Sequence, residues 1–317
     1  MIGSKKNTIL KKVLITGSNG LLGQKLVSLL KAEKQYEIHA FSRGEDQIKK
    51  NEGYTYYNVD ITEKEKVTNL ISTIRPDYLI NTAAMTNVDA CEHYQEECDA
   101  INVEAVRTLV SSCKENDIHF IHLSTDFIFD GLKKGLYTED DKPNPLSYYG
   151  LSKLKSEEII LEAKIKYTIL RTILVYGMVD RNDRSNIVLW VKNSLENKKP
   201  INAITDQFRM PTFVDDLAES CLLTIKNNAL GVYNISSNTL LSIYEIALIV
   251  AKTFNLDTKY ISSCKTSDLN LPAKRPYKTG FDLNKSIKEL NLPSYSFTER
   301  LQVYKNQLDS KLRSSNS

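Results

Sequence analysis

The chain has 317 residues, of which 41% are hydrophobic and 26% charged, and its formal net charge is +3. That is enough apolar material for a large core and too much for a disordered chain, and so small a charge argues against a nucleic-acid partner. No run approaches the roughly 18 apolar residues of a membrane span, and the N-terminus lacks an apolar stretch of signal-peptide length, so no membrane partner and a cytoplasmic location are expected.

Residues 13–15 form an apolar run, Val13-Leu14-Ile15, followed by Gly17, Ser18, Asn19, Gly20, Leu21, Leu22 and Gly23 and then by apolar residues at helical spacing through Leu30. This reads as strand, glycine turn, helix. Three glycines three apart permit a tight turn, close approach of an anion to bare backbone N–H groups, and close packing of the helix on its strand. Strands are predicted next at 36–41, 54–59 and 78–80, a helix over 95–113, and a strand over 118–123. A loop rich in Gly, Asp, Pro and Asn covers 130–145. A helix follows at 147–163, a strand at 167–175 and a helix at 186–195.

The alternation then fades. Residues 200–211 read as loop, 214–225 as helix, 232–235 as a short strand and 243–254 as helix, and a Pro-dotted segment runs on to Pro293. The expected fold is α/β, a doubly wound parallel Rossmann sheet with a smaller C-terminal substrate-binding lobe. The expected boundaries are 9–175 with 207–237 for the nucleotide domain, and 176–206 with 238–309 for the lobe. Residues 1–8 and 310–317 are expected to fray.

In a dinucleotide fold, a residue about 20 positions beyond the glycines selects the ribose, an acid accepting from a 2′-hydroxyl and an arginine accommodating a 2′-phosphate. Ser42-Arg43 stand there, and the acids Glu45 and Asp46 come slightly late. The residue types favour NADPH, with NADH as the alternative.

Tyr149 and Lys153 are four apart at the start of a predicted helix and so share a face. An ammonium beside a phenol favours the phenolate and is expected to draw the tyrosine pKa down toward neutrality. Ser124 and Thr125 lie at the C-terminal end of the fifth predicted strand, the edge where ligands bind in doubly wound sheets. A hydroxyl there can hydrogen-bond a carbonyl while the tyrosine protonates it.

With Asn58-Val59-Asp60-Ile61, Asn81-Thr82-Ala83-Ala84 and Asn102-Val103, these pieces make residues 11–300 resemble the extended short-chain dehydrogenases/reductases. Within them, residues 124–131 (STDFIFDG), 145–150 (PLSYYG), 206–212 (DQFRMPT) and Lys274-Arg275-Pro276 are most similar to the dTDP-4-dehydrorhamnose reductase family. The resemblance implies a catalytic set of Thr125, Tyr149 and Lys153. It implies a cofactor site made of the glycine turn, Ser42, Arg43, Asp60 and Ile61 beside the adenine, Ala83 and Ala84 along the channel, and Asn102. It further implies a nucleotide-sugar substrate met by Thr125, Asp126, Phe127, Arg209 and Arg275, and it leaves a homodimer open.

Arg209 stands where the sugar reductases are expected to carry a small residue. The regulatory β subunit of methionine adenosyltransferase resembles this chain in architecture, in the Tyr/Lys pair and in a basic residue near that proline. A non-catalytic NADP-binding regulator is therefore the alternative. Arg275 reads equally as a diphosphate ligand or as half of a structural ion pair. Cys91, Cys98, Cys113, Cys221 and Cys264 contain no CxxC pair, and His93, His119 and His122 lack zinc-site spacing, so no metal is expected. Asp215-Asp216 read as carboxylates at a helix N-terminus, and Trp190 as a core residue.

Overall fold

The structure is a computed structural model that describes residues 10–49, 52–178 and 186–315. Its first half alternates as the sequence predicts: β1 (Lys11–Thr16), α1 (Leu21–Glu33), β2 (Tyr36–Ser42), β3 (Thr55–Asn58), α2 (Lys64–Ile74) and β4 (Tyr78–Asn81). Two short helices, α3 (Val88–His93) and α4 (Gln95–Asp99), then lead through a π-helical turn at Ala100–Glu104 into α5 (Ala105–Asn116). Where the sequence predicts one helix over 95–113, the chain thus has two helical segments joined by a wider turn. β5 (His119–Thr125), α6 (Tyr148–Glu162), β6 (Tyr167–Thr172) and α7 (Ile187–Glu196) complete this part.

Among the described residues, seven strands form a parallel sheet in the order β3-β2-β1-β4-β5-β6-β9, where β9 is Gly231–Ile235. The order reverses at β1, which pairs with β2 on one side and β4 on the other. A crevice therefore opens beyond the C-terminal ends of β1 and β4, the usual ligand position in open α/β sheets. A parallel sheet is covered on both faces, so its central strands are apolar throughout, and all four residues of β4 are buried. Alternation assigns the faces. Val13, Ile15, Ile80 and Ile121 pack with Leu26, Val27, Leu30 and the helix α8 (Val214–Asn227), while Leu14, Leu79 and Phe120 pack with Val67, Val106, Leu109 and Ile160 from α2, α5 and α6.

The segment 200–211, expected to be loop, contains β7 (Ile201–Ile204) and β8 (Phe208–Arg209). Beyond it lie β10 (Leu241–Ser242), α9 (Ile243–Thr253), β11 (Ile261–Cys264), β12 (Lys278–Thr279), α10 (Asn284–Leu290) and α11 (Phe297–Ser315). β7 pairs with β11, and β8 lies between β10 and β12. Strands of two to four residues are too short to show a period, and their partners lie far along the chain.

A separate core holds α7, α9 and α11 together through Val188, Val191, Ile246, Val250, Phe297, Leu301 and Tyr304. Ser310, from which fraying is expected, lies within the span assigned to α11. α11 runs through it, with the Ser310 hydroxyl bonded to the Asn306 carbonyl at 2.9 Å, Lys305 paired with Asp309 at 2.7 Å and Gln307 donating to Asp215 at 2.7 Å. Asp215 and Asp216 do begin α8, and they also receive Lys25 at 2.8 Å and Arg300 at 2.5 Å, tying α1 and α11 to that helix. No helix among the described residues is long and apolar enough to cross a membrane.

Candidate active site

A cleft of about 440 Å³ lies at the switch point, bordered by Gly17, Asn19 and Gly20 from the turn, Ser42 at the end of β2 and Arg43 after it, Asp60 and Ile61 after β3, and Ala83 and Ala84 after β4. Gly17 has φ +65°, and a Cβ there would come within 2.8 Å of the Ala83 backbone. A Cβ on Gly23 would lie 2.4 Å from the Gly17 carbonyl oxygen and 2.6 Å from Ser18 Cα. The glycines are therefore required by the path of the backbone itself. α1 starts at Gly20 with no side-chain cap and no acid in its first turn, leaving its N–H groups and its positive dipole end facing the cleft. Leu21 and Leu22 do not border the cleft: Leu22 is buried in the core and Leu21 packs against it.

Asn19 sets the opposite wall. Its Nδ2 donates to the carbonyls of Arg43 and Glu45 at 3.3 and 2.8 Å, and its Oδ1 accepts from Gln47 N–H at 3.0 Å. This fixes the loop that carries Arg43, whose guanidinium is 77% exposed and 3.6 Å from Asp60. The Thr62 N–H, with a smaller contribution from Arg43, holds the Asp60 carboxyl below its ordinary pKa. Gln47, Thr82, Met85, Glu97 and Ile101 also line the cleft and were not expected. Asn102 does not line it: buried beneath, it accepts from Met85 N–H at 2.9 Å and donates to the Met85 carbonyl at 3.1 Å and Ser152 Oγ at 3.0 Å, which positions the wall.

Thr125 ends β5, and Tyr149 lies in the first turn of α6. α6 begins at Ser147, whose hydroxyl accepts from Gly150 N–H at 3.2 Å. A Cβ on Gly150 would fall 2.2 Å from the Phe127 carbonyl oxygen, so glycine lets this helix start hard against the end of β5. The result sets the Thr125 hydroxyl near enough to the Tyr149 phenol to oppose the rise in its pKa, with the Phe127 ring edge-on to Tyr149 at 5.7 Å.

The expected electrostatics differ. Burial raises the Tyr149 pKa, with only the Thr125 hydroxyl opposing it, and Lys153 does not lower it. Lys153 is buried and its Nζ lies 2.9 Å from His122 Nε2. Burial pushes its pKa down to about 8. Shared helical face is thus satisfied, but the ammonium position is taken up by a histidine of β5.

Asp126 and Arg209 are 2% and 4% exposed in their side chains and are committed to each other at 3.5 Å. Arg209 also donates to the carbonyls of Phe208, Pro276 and Tyr277 at 2.8, 2.7 and 3.3 Å, and Thr279 donates to Asp126. Neither has a free edge for a sugar. They instead clamp β8 and the 276–279 segment to the end of β5. Of the two readings of Arg275, the ion pair is the one present: Nη2 lies 2.7 Å from Asp89 and Nη1 donates to the Ala273 carbonyl at 3.0 Å.

Among the described residues no group of three His, Cys, Asp or Glu is placed to hold a metal. The cysteines are free thiols, and Trp190 packs at the margin of the α7–α9–α11 core.

A glycine turn at the switch point of a doubly wound sheet, with a Thr/Tyr pair and a lysine at its C-terminal edge, is the arrangement of an extended short-chain dehydrogenase/reductase. The family model described as the RmlD substrate binding domain matches residues 11–310, and the chain belongs to that family. It is 32% identical to the probable low-salt glycan biosynthesis reductase Agl14 of Haloferax volcanii, over 87% of this chain and 91% of that one. It is 30% identical to a dTDP-4-dehydrorhamnose reductase of Aggregatibacter actinomycetemcomitans, over 86% and 91%. It is 28% identical to the methionine adenosyltransferase 2 subunit beta of Bos taurus, over 87% and 81%. Among solved structures, dTDP-4-dehydrorhamnose reductase from Bacillus anthracis in complex with NADP superposes with a TM-score of 0.83 at 26% identity, covering 94% of this chain and 100% of that one.

Proposed function

We propose that this chain is an NAD(P)H-dependent reductase that uses NADPH to reduce the 4-keto group of a nucleotide-activated deoxysugar, as a dTDP-4-dehydrorhamnose reductase in dTDP-L-rhamnose biosynthesis. A cytoplasmic location accords with a substrate of that kind. The observation that carries the reading is the cleft at the switch point of the sheet together with Thr125 at the end of β5 and Tyr149 in the first turn of α6. Bound NADPH supplies the hydride. The Tyr149 phenol donates the proton to the carbonyl oxygen, Thr125 hydrogen-bonds that oxygen, and Lys153 holds the nicotinamide ribose. A phenol kept protonated by burial suits a proton donor.

The residues present fit the cofactor. The bare N-terminus of α1 and the glycine backbone would take the pyrophosphate, Asp60 and Ile61 would flank the adenine, and the exposed Arg43 guanidinium would meet a 2′-phosphate. Replacing Arg43 by alanine is expected to weaken NADPH binding about tenfold, or about 1.4 kcal/mol, and to leave NADH binding within twofold. Titration calorimetry with both cofactors measures it, and equal losses for both would remove Arg43 from the ribose site. Gly23→Ala, whose Cβ has only backbone to displace, is expected to weaken both cofactors at least tenfold with the fold retained by circular dichroism.

The reaction is tested by incubating the protein with NADPH and dTDP-4-keto-6-deoxysugar and following loss of the reduced-nicotinamide absorbance. NADPH binding with no oxidation across a panel of nucleotide-ketosugars would favour the second reading, a regulatory subunit resembling the methionine adenosyltransferase β subunit. Arg209 within DQFRMPT and the similarity to that subunit support this alternative, and retention of a methionine adenosyltransferase on the immobilised protein would decide for it.

A further inference from the structure

His122 is fully buried in the middle of the sheet and takes no part in the chemistry above. Its two ring nitrogens are in contact with different partners. Nδ1 lies 3.1 Å from Asn81 Nδ2, and Nε2 lies 2.9 Å from Lys153 Nζ and 3.2 Å from Ser156 Oγ.

The orientation of Asn81 is fixed by groups that donate to it. The Thr16 hydroxyl at 2.5 Å gives its hydrogen to Asn81 Oδ1, and the Ala83 backbone N–H is shared between that oxygen and Thr16 Oγ1, at 3.3 Å from each. A backbone N–H only donates, so an inverted amide would set donor against donor. Asn81 Nδ2 therefore donates to His122 Nδ1, and the neutral imidazole carries its hydrogen on Nε2. That hydrogen faces Lys153 Nζ. An ammonium has three donors and no lone pair, so at 2.9 Å it would repel the Nε2–H, whereas a neutral amine accepts from it. The Ser156 hydroxyl gives its own hydrogen to the Lys153 carbonyl at 2.6 Å and keeps only acceptor capacity toward the ring.

Glu157 and Cys98 favour a proton on Lys153 against the effect of burial, and each is engaged elsewhere. Glu157, one turn along α6, is bound by Arg171 through Nη2 at 2.7 Å and Nε at 3.1 Å, both side chains buried. From α4, Cys98 accepts from Asn102 at 3.4 Å, and its contact with Cys91 draws its pKa down, so that as a thiolate it favours the ammonium. Tyr149 is a neutral phenol on the same helix.

We propose that His122 is a positioning residue that disfavours the ammonium form of Lys153 in the nucleotide-free protein, so that cofactor binding frees the amine and is coupled to proton uptake from solvent. This rests on the cofactor reading above. It also assigns a sequence of events to the Tyr/Lys pair: the lysine acts on the phenol only after it has left His122 and become charged. Burial pushes the Lys153 pKa the same way, and that of His122 well below its ordinary value, keeping the ring neutral.

The test is calorimetry of NADPH binding at pH 8.5 in buffers of differing ionisation enthalpy. With a starting pKa of about 8 and an ordinary lysine value after release, about 0.7 of a proton is taken up per site. His122→Gln places an amide oxygen where Lys153 can donate as an ammonium, and uptake is expected to fall at least threefold. Unchanged uptake in that variant, or no uptake in the native protein despite NADPH binding, would overturn the proposal. Absence of any NADPH binding would instead sink the cofactor reading. A measurement on the unaltered, nucleotide-free protein covers both cases. Long-range nitrogen–proton correlation of the His122 ring is expected to show the Nε2–H tautomer, and the Nδ1–H tautomer would refute the proposal even if the variant fails to fold.

Discussion

Replacing Tyr149 by phenylalanine is expected to lower turnover of a nucleotide-ketosugar by at least about 10²–10³-fold while leaving NADPH affinity within a few fold. The change removes one oxygen. The ring remains between Phe127, Cys91 and Cys98, which pack beside it, so the loss falls on chemistry rather than on folding. Thr125 is held by the Phe127 N–H and the Asp126 carboxylate, both at 3.2 Å, and stays in place. Single-turnover kinetics at saturating NADPH measure the effect. Retention of more than a tenth of the native rate would move proton donation to another group. Thr125→Val provides the comparison: it is expected to cost less than Tyr149→Phe, because it removes a hydrogen bond to the oxygen but not the proton donor.

How much of this site was readable in advance depends on what each residue's role requires. The glycine turn was legible because its reason is local: Gly17, Gly20 and Gly23 answer to backbone geometry within one turn, apart from the close approach of Ala83. Tyr149 and Lys153 were legible as neighbours because a helix fixes the four-residue spacing. What Lys153 does was not, since its partner His122 sits 31 positions earlier on another element.

Asp126 and Arg209 show the same limit from the other side. Their charge and their position near the sheet edge suggested a ligand, yet the pairing of β8 with β12 brings the Pro276 and Tyr277 carbonyls and Thr279 to them and, with the adjacent Phe208 carbonyl, consumes their hydrogen-bonding capacity. β7 and β11 escaped for want of length. The last turns of α11 escaped because Ser, Asn and Lys give no apolar period, whereas the helix is held by pairs such as Lys305–Asp309 and by Gln307 on Asp215.

Replacing Arg209 by methionine is expected to destabilise the protein by about 3–5 kcal/mol, the usual cost of stripping one partner from a buried charge pair. Methionine keeps much of the side-chain length over the Phe127 ring, so the penalty comes from Asp126 and from the lost donors to the Phe208 and Pro276 carbonyls rather than from a cavity, the Tyr277 carbonyl keeping the Phe208 N–H at 2.6 Å. The pH dependence separates this from a packing defect. Burial already raises the Asp126 pKa, and Arg209 is the largest influence opposing that rise. Without the arginine the folded carboxyl titrates higher still, above its unfolded value. The native state then binds a proton that the unfolded state releases, so the variant's stability is retained at low pH and lost as pH climbs through the raised pKa.

Chemical denaturation from pH 4 to pH 8 is therefore expected to show a gap between native and variant proteins that widens with pH. A pH-independent gap would mean that Asp126 is not the charge left behind. Because Arg209 holds the 276–279 segment against the end of β5 beside Thr125, the same variant is expected to lose activity through the placement of Thr125. Its NADPH affinity should be nearly unchanged, since Arg209 does not line the cleft at Gly17, Arg43 and Asp60.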